Sequence, residues 1–183
     1  MQWATRIWWL LRYIGFDNAA ILEGGWDKWQ AESRPTSSEE HSYPPATLTA
    51  QARPELFVDK QQIVADFDDQ SVCTINALSA SLHRGEDSRY GRPGHIPGSV
   101  NVPVLDLLVA ETREFASADV IADKFNAVGA DPSKRIVLYC GGGIAATLDA
   151  FLLHQLGYQN LAVYDNSMSE WAPDEALPIE LGG

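Results

Sequence analysis

Apolar and polar positions along the chain fall into short blocks that alternate between two periods. Arg135-Ile136-Val137-Leu138-Tyr139 is a continuous apolar run entered from charge, the pattern of a strand buried on both faces. Val72 to Asn76 and Leu161 to Tyr164 read the same way. Longer mixed blocks predict helices near Val58 to Phe67, from Ala118 to Val128 and from Ala145 to Leu156, with a short one from Ser167 to Trp171. Arg84 to Pro103 is rich in turn residues. Strands alternating with helices predict an α/β fold, a parallel sheet covered by helices on both faces.

The pattern also repeats. Of the 26 positions from Ala4 to Trp29, eight are identical to the residue 142 positions later, among them Thr5/Thr147, Leu10/Leu152, Gly15/Gly157 and Trp29/Trp171. Each copy reads as an apolar helix, a Gly that stops it, a short strand, and a turn into a helix ending in Trp. The run before the second copy has no counterpart in the first, because the position matching Cys140 falls before Met1. The expectation is a chain that begins partway through the first of two homologous domains. Residues 1–34 would be the C-terminal remnant of the first, 35–56 a linker and crossover marked by the polar, Pro-rich Ser33 to Pro45, and 57–183 a complete domain. On that reading Ile7, Trp8, Leu10, Leu11, Ile14 and Ile21 lack the sheet they would cover, and the tryptophan-rich start is expected to self-associate.

Charge narrows the partners. With 25 acidic residues against 13 basic ones the net charge is −12, which repels nucleic acid and anionic membrane surfaces. The apolar run Ile7 to Leu11, closed by Arg6 and Arg12, is too short to span a bilayer. Two cysteines exclude a disulfide framework and fit a reducing, cytoplasmic setting.

The chemistry concentrates after the predicted strand that ends at Tyr139. Cys140-Gly141-Gly142-Gly143-Ile144-Ala145 runs straight into a helix, so glycines can turn successive N–H groups inward as an anion-binding nest and the helix adds its positive end. A thiol so placed is favoured as the thiolate, the nucleophilic form. Cys73, inside a strand pattern, reads as core.

These residues resemble a known family. Cys140 to Ala146 resembles the C-x-x-G-V-T-A loop of tandem-domain rhodaneses and 3-mercaptopyruvate sulfurtransferases. Gly94 to Pro103 resembles their G-H-I-P-G-A-x-N-x-P segment, and Tyr164 to Trp171 their Y-D-G-S-W-x-E-W close. The resemblance implies a rhodanese-like domain and a persulfide mechanism. Cys140 would take a sulfane sulfur from 3-mercaptopyruvate or thiosulfate and pass it to a thiol or cyanide acceptor, with Gly141, Gly142, Gly143, Ile144 and Ala145 holding the anion and no cofactor or metal required. Arg84, in Arg84-Gly85-Glu86, matches the family's donor-binding arginine, while Leu78 stands where a second arginine is usual. His95, in its Pro-Gly turn motif, reads as structural. Glycine at both 141 and 142 lacks the basic residues of thiosulfate enzymes and the Gly-Ser of mercaptopyruvate enzymes, so the donor stays open. A cysteine phosphatase would need Arg where Ala146 stands. The remaining alternative is a non-catalytic rhodanese-like binding module, made credible by Leu78.

Overall fold

The computed structural model describes residues 1–182. Helix α1 (Gln2–Tyr13) and helix α2 (Gly25–Ala31) come first, followed by an exposed segment without regular structure up to a 3-10 turn at Pro54–Leu56. Then follow β1 (Phe57–Val58), α3 (Lys60–Ala65), β2 (Val72–Asn76), α4 (Ala80–Arg84), β3 (Val100–Asn101), a 3-10 turn at Val104–Leu107, α5 (Ala118–Ala127), β4 (Arg135–Tyr139), α6 (Ile144–Gln155), β5 (Leu161–Tyr164) and α7 (Ser167–Trp171). The five strands form one parallel sheet in the order β1-β5-β4-β2-β3. The longer strands coincide with the apolar runs of the sequence, because a central parallel strand must be apolar on both sides.

Alternation along β4 assigns the two faces. Ile136, Leu138 and Cys140 point into a core built with α1, α5 and α6; Val137 and Tyr139 point into a second with Ile63 of α3 and Met168 and Trp171 of α7. Buried helix α6, covered on both sides, shows no amphipathic stripe: every residue from Ala146 to Leu153 is buried.

What covers its outer side is α1, and the two helices begin and end at positions 142 residues apart. They meet at equivalent threonines. The hydroxyls of Thr5 and Thr147 lie 3.2 Å apart, and each also reaches the carbonyl three residues before it, Gln2 and Ile144. Trp8 stands edge-on to Phe151 with centroids 5.0 Å apart, and Trp9 is 1% exposed. The expectation that the opening helix lacks cover is thus corrected for Trp8, which finds it on α6 rather than on a sheet. Trp3 and Ile7 remain exposed.

A second correction concerns the strand expected in the first copy. The residues matching β5 are irregular, since no neighbouring strand offers them hydrogen bonds. No helix among the described residues is long and apolar enough to cross a membrane.

Candidate active site

Strand β4 delivers Cys140 to the carboxyl edge of the sheet, where open α/β folds place their ligands. The thiol-bearing residue is 3% exposed and lines a cavity of about 720 Å³ together with Gly141, Gly142, Ile144 and Ala145. The walls come from α4 and the strand end before it (Ala77, Leu78, Leu82), from Val104 and Leu105, and from Asp87, Arg89 and Tyr90; Gln2 and Trp3 of α1 close the rim.

The loop is held from behind by α7. Ser167 Oγ accepts from the N–H of Cys140 at 3.0 Å and of Gly143 at 3.2 Å while donating to the carbonyl of Tyr164 at 2.7 Å. The N–H of Met168 donates to the carbonyl of Cys140, and both the N–H and the hydroxyl of Ser169 donate to that of Gly141. Two of the amides expected in the nest are therefore committed to Ser167. Among the described residues, nothing accepts from the N–H groups of Gly141, Gly142, Ile144 and Ala145. Those four, at the positive end of a twelve-residue helix, can take an anion.

Gly143 is a glycine for a specific reason. Its φ of +73° caps α6 in the left-handed region, and a Cβ there would run into the carboxylate of Asp165 and within 2.6 Å of its carbonyl oxygen. Asp165 is itself gripped by both guanidinium nitrogens of Arg6 on α1, the second leg at 3.0 Å. Neither Ser167 nor Arg6 was singled out from the sequence. For Ser167 a signal exists: it matches Gly25 at the 142-residue offset, and both adopt a left-handed φ (51° and 59°), so a non-glycine residue there marks a side chain with a task.

The structure does not bring Arg84 to this cavity. Its guanidinium forks onto Glu86 (2.7 and 3.0 Å) and it borders a separate depression with His83 and Asn101. The reason is that α4 ends at Arg84 with Gly85 in a left-handed turn, which carries the chain away from Cys140 and returns it at 87–90. Arg89 does line the cavity, and it enters no ion pair among the described residues. Leu78 does line the cavity, as an apolar wall. Cys73 sits in the core away from the site, and burial pushes its thiol up, away from the reactive thiolate form.

His95 is structural in its contacts. Its ring stacks on His83 at 3.7 Å and its Nδ1 contacts the His83 carbonyl at 2.7 Å. Burial, with His95 alongside, lowers His83 to a pKa of about 4, so it is neutral near pH 7 and its Nδ1 accepts from the Asn76 amide at 3.1 Å.

Residues 51–174 match the model of the rhodanese-like domain. The chain belongs to the rhodanese-like family. Among curated relatives of this rhodanese-like chain, 3-mercaptopyruvate sulfurtransferase of Rattus norvegicus is 34% identical over 174 residues, covering 92% of this chain and 57% of the relative. The enzyme of the same name in Escherichia coli K12 is 31% identical, covering 97% and 63%. Thiosulfate/3-mercaptopyruvate sulfurtransferase 2 of Arabidopsis thaliana is 30% identical, covering 96% and 58%. The chain thus spans about three-fifths of the length of the curated relatives it matches. An anaerobic ergothioneine biosynthesis enzyme from Chlorobium limicola, solved with trimethyl histidine, shares the fold with a TM-score of 0.87 at 22% identity, over 98% of this chain and 45% of that one.

Proposed function

We propose that this chain is a sulfurtransferase that carries a sulfane sulfur as a persulfide on Cys140, taking it from 3-mercaptopyruvate or thiosulfate and passing it to a thiol or cyanide acceptor. The observation that carries the reading is the placement of Cys140 beside four unclaimed N–H groups at the start of α6, in a cavity that also holds Arg89. Curated relatives named as sulfurtransferases at 30–34% identity support it. The thiolate attacks the donor's outer sulfur, and the open amides of Gly141, Gly142, Ile144 and Ala145 stabilise the negative charge of the persulfide formed there. The donor's carboxylate or sulfonate end pairs with Arg89, since Arg84 is turned away and Leu78 offers only apolar contact. The acceptor then attacks the outer sulfur of the persulfide, and Cys140 leaves as thiolate.

The test is mass spectrometry of the chain after exposure to each donor, followed by cyanolysis. Cys140 should gain one sulfur atom that cyanide removes as thiocyanate. Cys140→Ser should gain none, and Cys73→Ser should load like the parent. Arg89→Ala should raise the donor KM by about tenfold or more, the cost of losing a charge-assisted hydrogen bond of roughly 1.5–3 kcal/mol. Arg84→Ala should leave KM unchanged. A parent chain that never loads from either donor would sink the proposal in favour of a binding module.

A further inference from the structure

Position 141 has no side chain because another residue already fills the space. A Cβ on Gly141 would overlap the hydroxyl and ring edge of Tyr90, so the phenol lies directly on the loop that follows Cys140. Tyr90 lines the same cavity, is half-buried, and its hydroxyl makes no hydrogen bond among the described residues. Its position is fixed two residues on, where Arg92 donates from Nε to the carbonyl of Ala172 at 2.8 Å and from Nη2 to that of Asp174 at 2.6 Å. Both carbonyls follow α7, and the start of α7 holds Cys140 and Gly141. Tyr90 and the sulfur-bearing loop are thus tied to one short helix from opposite ends. A half-buried phenol held against the residue that follows Cys140, with its O–H unpaired among the described residues, is a hydrogen-bond donor awaiting an acceptor.

We propose that Tyr90 is a catalytic residue of sulfur loading from an α-keto thiol donor, its hydroxyl giving the proton that the departing carbon needs; the assignment rests on the function proposed above. The Cys140 thiolate attacks the thiol sulfur of 3-mercaptopyruvate. The new S–S bond forms, the C–S bond breaks, and its electron pair leaves with carbon as the pyruvate enolate. The enolate takes the Tyr90 proton and becomes pyruvate. The phenolate recovers a proton from the S–H of the new persulfide, which remains as the anion held by the loop amides. Thiosulfate differs at one step: its leaving group is sulfite, a stable anion that needs no proton.

That difference is the test. General acid catalysis contributes about 10²–10⁴-fold, so Tyr90→Phe should lower the rate of single-turnover persulfide loading from mercaptopyruvate by about a hundredfold. Loading from thiosulfate should fall by less than about threefold, with the thermal melt held. A second arm tests the geometry without relying on Phe. Gly141→Ala should depress thiosulfate loading by crowding the ring, and adding Tyr90→Ala should restore it while mercaptopyruvate loading stays low. Equal losses with both donors, or no loss with mercaptopyruvate, would overturn the role of Tyr90 while leaving the sulfurtransferase reading intact. A parent that loads from thiosulfate alone overturns it too, and a parent that loads from neither overturns the function itself.

Discussion

Asp149 sits midway along α6, fully buried, and neither of its carboxyl oxygens has a hydrogen-bond partner. Burial raises its pKa well above the ordinary 3.8, so the folded chain keeps it neutral where the unfolded chain ionises it. The folded state then binds one more proton than the unfolded state at every pH between 3.8 and the raised value. Stability from this group is full below 3.8 and is lost at about 1.4 kcal/mol per pH unit as pH rises toward the folded pKa. Asp149→Asn keeps the shape of the neutral acid and removes the titration. The variant should match the parent near pH 4 and exceed it by a margin that widens as pH rises. His83 acts in the opposite sense: its folded pKa of about 4 lies below the ordinary 6.5, so its stability is full above 6.5 and is lost as pH falls toward 4. In the parent the two slopes oppose one another above pH 4, and Asp149→Asn should expose the His83 slope. Urea unfolding at pH 4.5, 6 and 7.5 with a constant m-value measures both. A pH-independent difference between variant and parent would refute the reasoning.

Two further outcomes follow from the α1 contacts. Trp9→Ala should cost about 3–5 kcal/mol in urea unfolding, the penalty for emptying a fully buried aromatic site, whereas Trp3→Ala, on the exposed side of the same helix, should change stability by less than about 0.5 kcal/mol. Arg6→Met should lower stability by about 1.5–3 kcal/mol, because it leaves the Asp165 carboxylate against Gly143 without its partner, and should slow sulfur loading measured by mass spectrometry.

Buried strands were the most legible part of the sequence. β2, β4 and β5 have the bounds their apolar runs predict, since burial on both faces leaves composition little freedom. β1 and β3, two residues each, carry too few positions for any period to register, and α4, five residues long, ends where the turn-rich stretch begins. The position of Cys140 at the strand end and the glycine loop after it were legible because strand, glycine and helix follow one another directly. Arg84 lies outside the Cys140 cavity for a reason sequence cannot expose: α4 ends there at a left-handed Gly85, and five residues later Arg89 lines the cavity. Nor could spacing show that Ser167 would claim two of the loop's amides, or that Arg6 would reach across 159 residues to Asp165.

The two copies of the helix-turn unit differ where the chemistry is. At the first residue of the short second helix, one copy has Gly25 and the other Ser167, both left-handed. A left-handed non-glycine residue costs roughly 1–2 kcal/mol, and Ser167 repays it with three hydrogen bonds that fix both ends of the Cys140–Gly143 turn. By consuming the N–H groups of Cys140 and Gly143 it leaves those of Gly141, Gly142, Ile144 and Ala145 for an anion. Five residues beyond Ile144, about 7.5 Å down the helix axis, burial raises the pKa of Asp149 and so disfavours a charge that would oppose the positive end of α6. The first copy lacks both features: its α1 starts at the cavity rim, and at the positions of Ser167 and Asp149 it carries Gly25 and Ile7. The same helix pattern thus carries the Cys140 loop in one copy and, in the other, covers the helix that follows that loop.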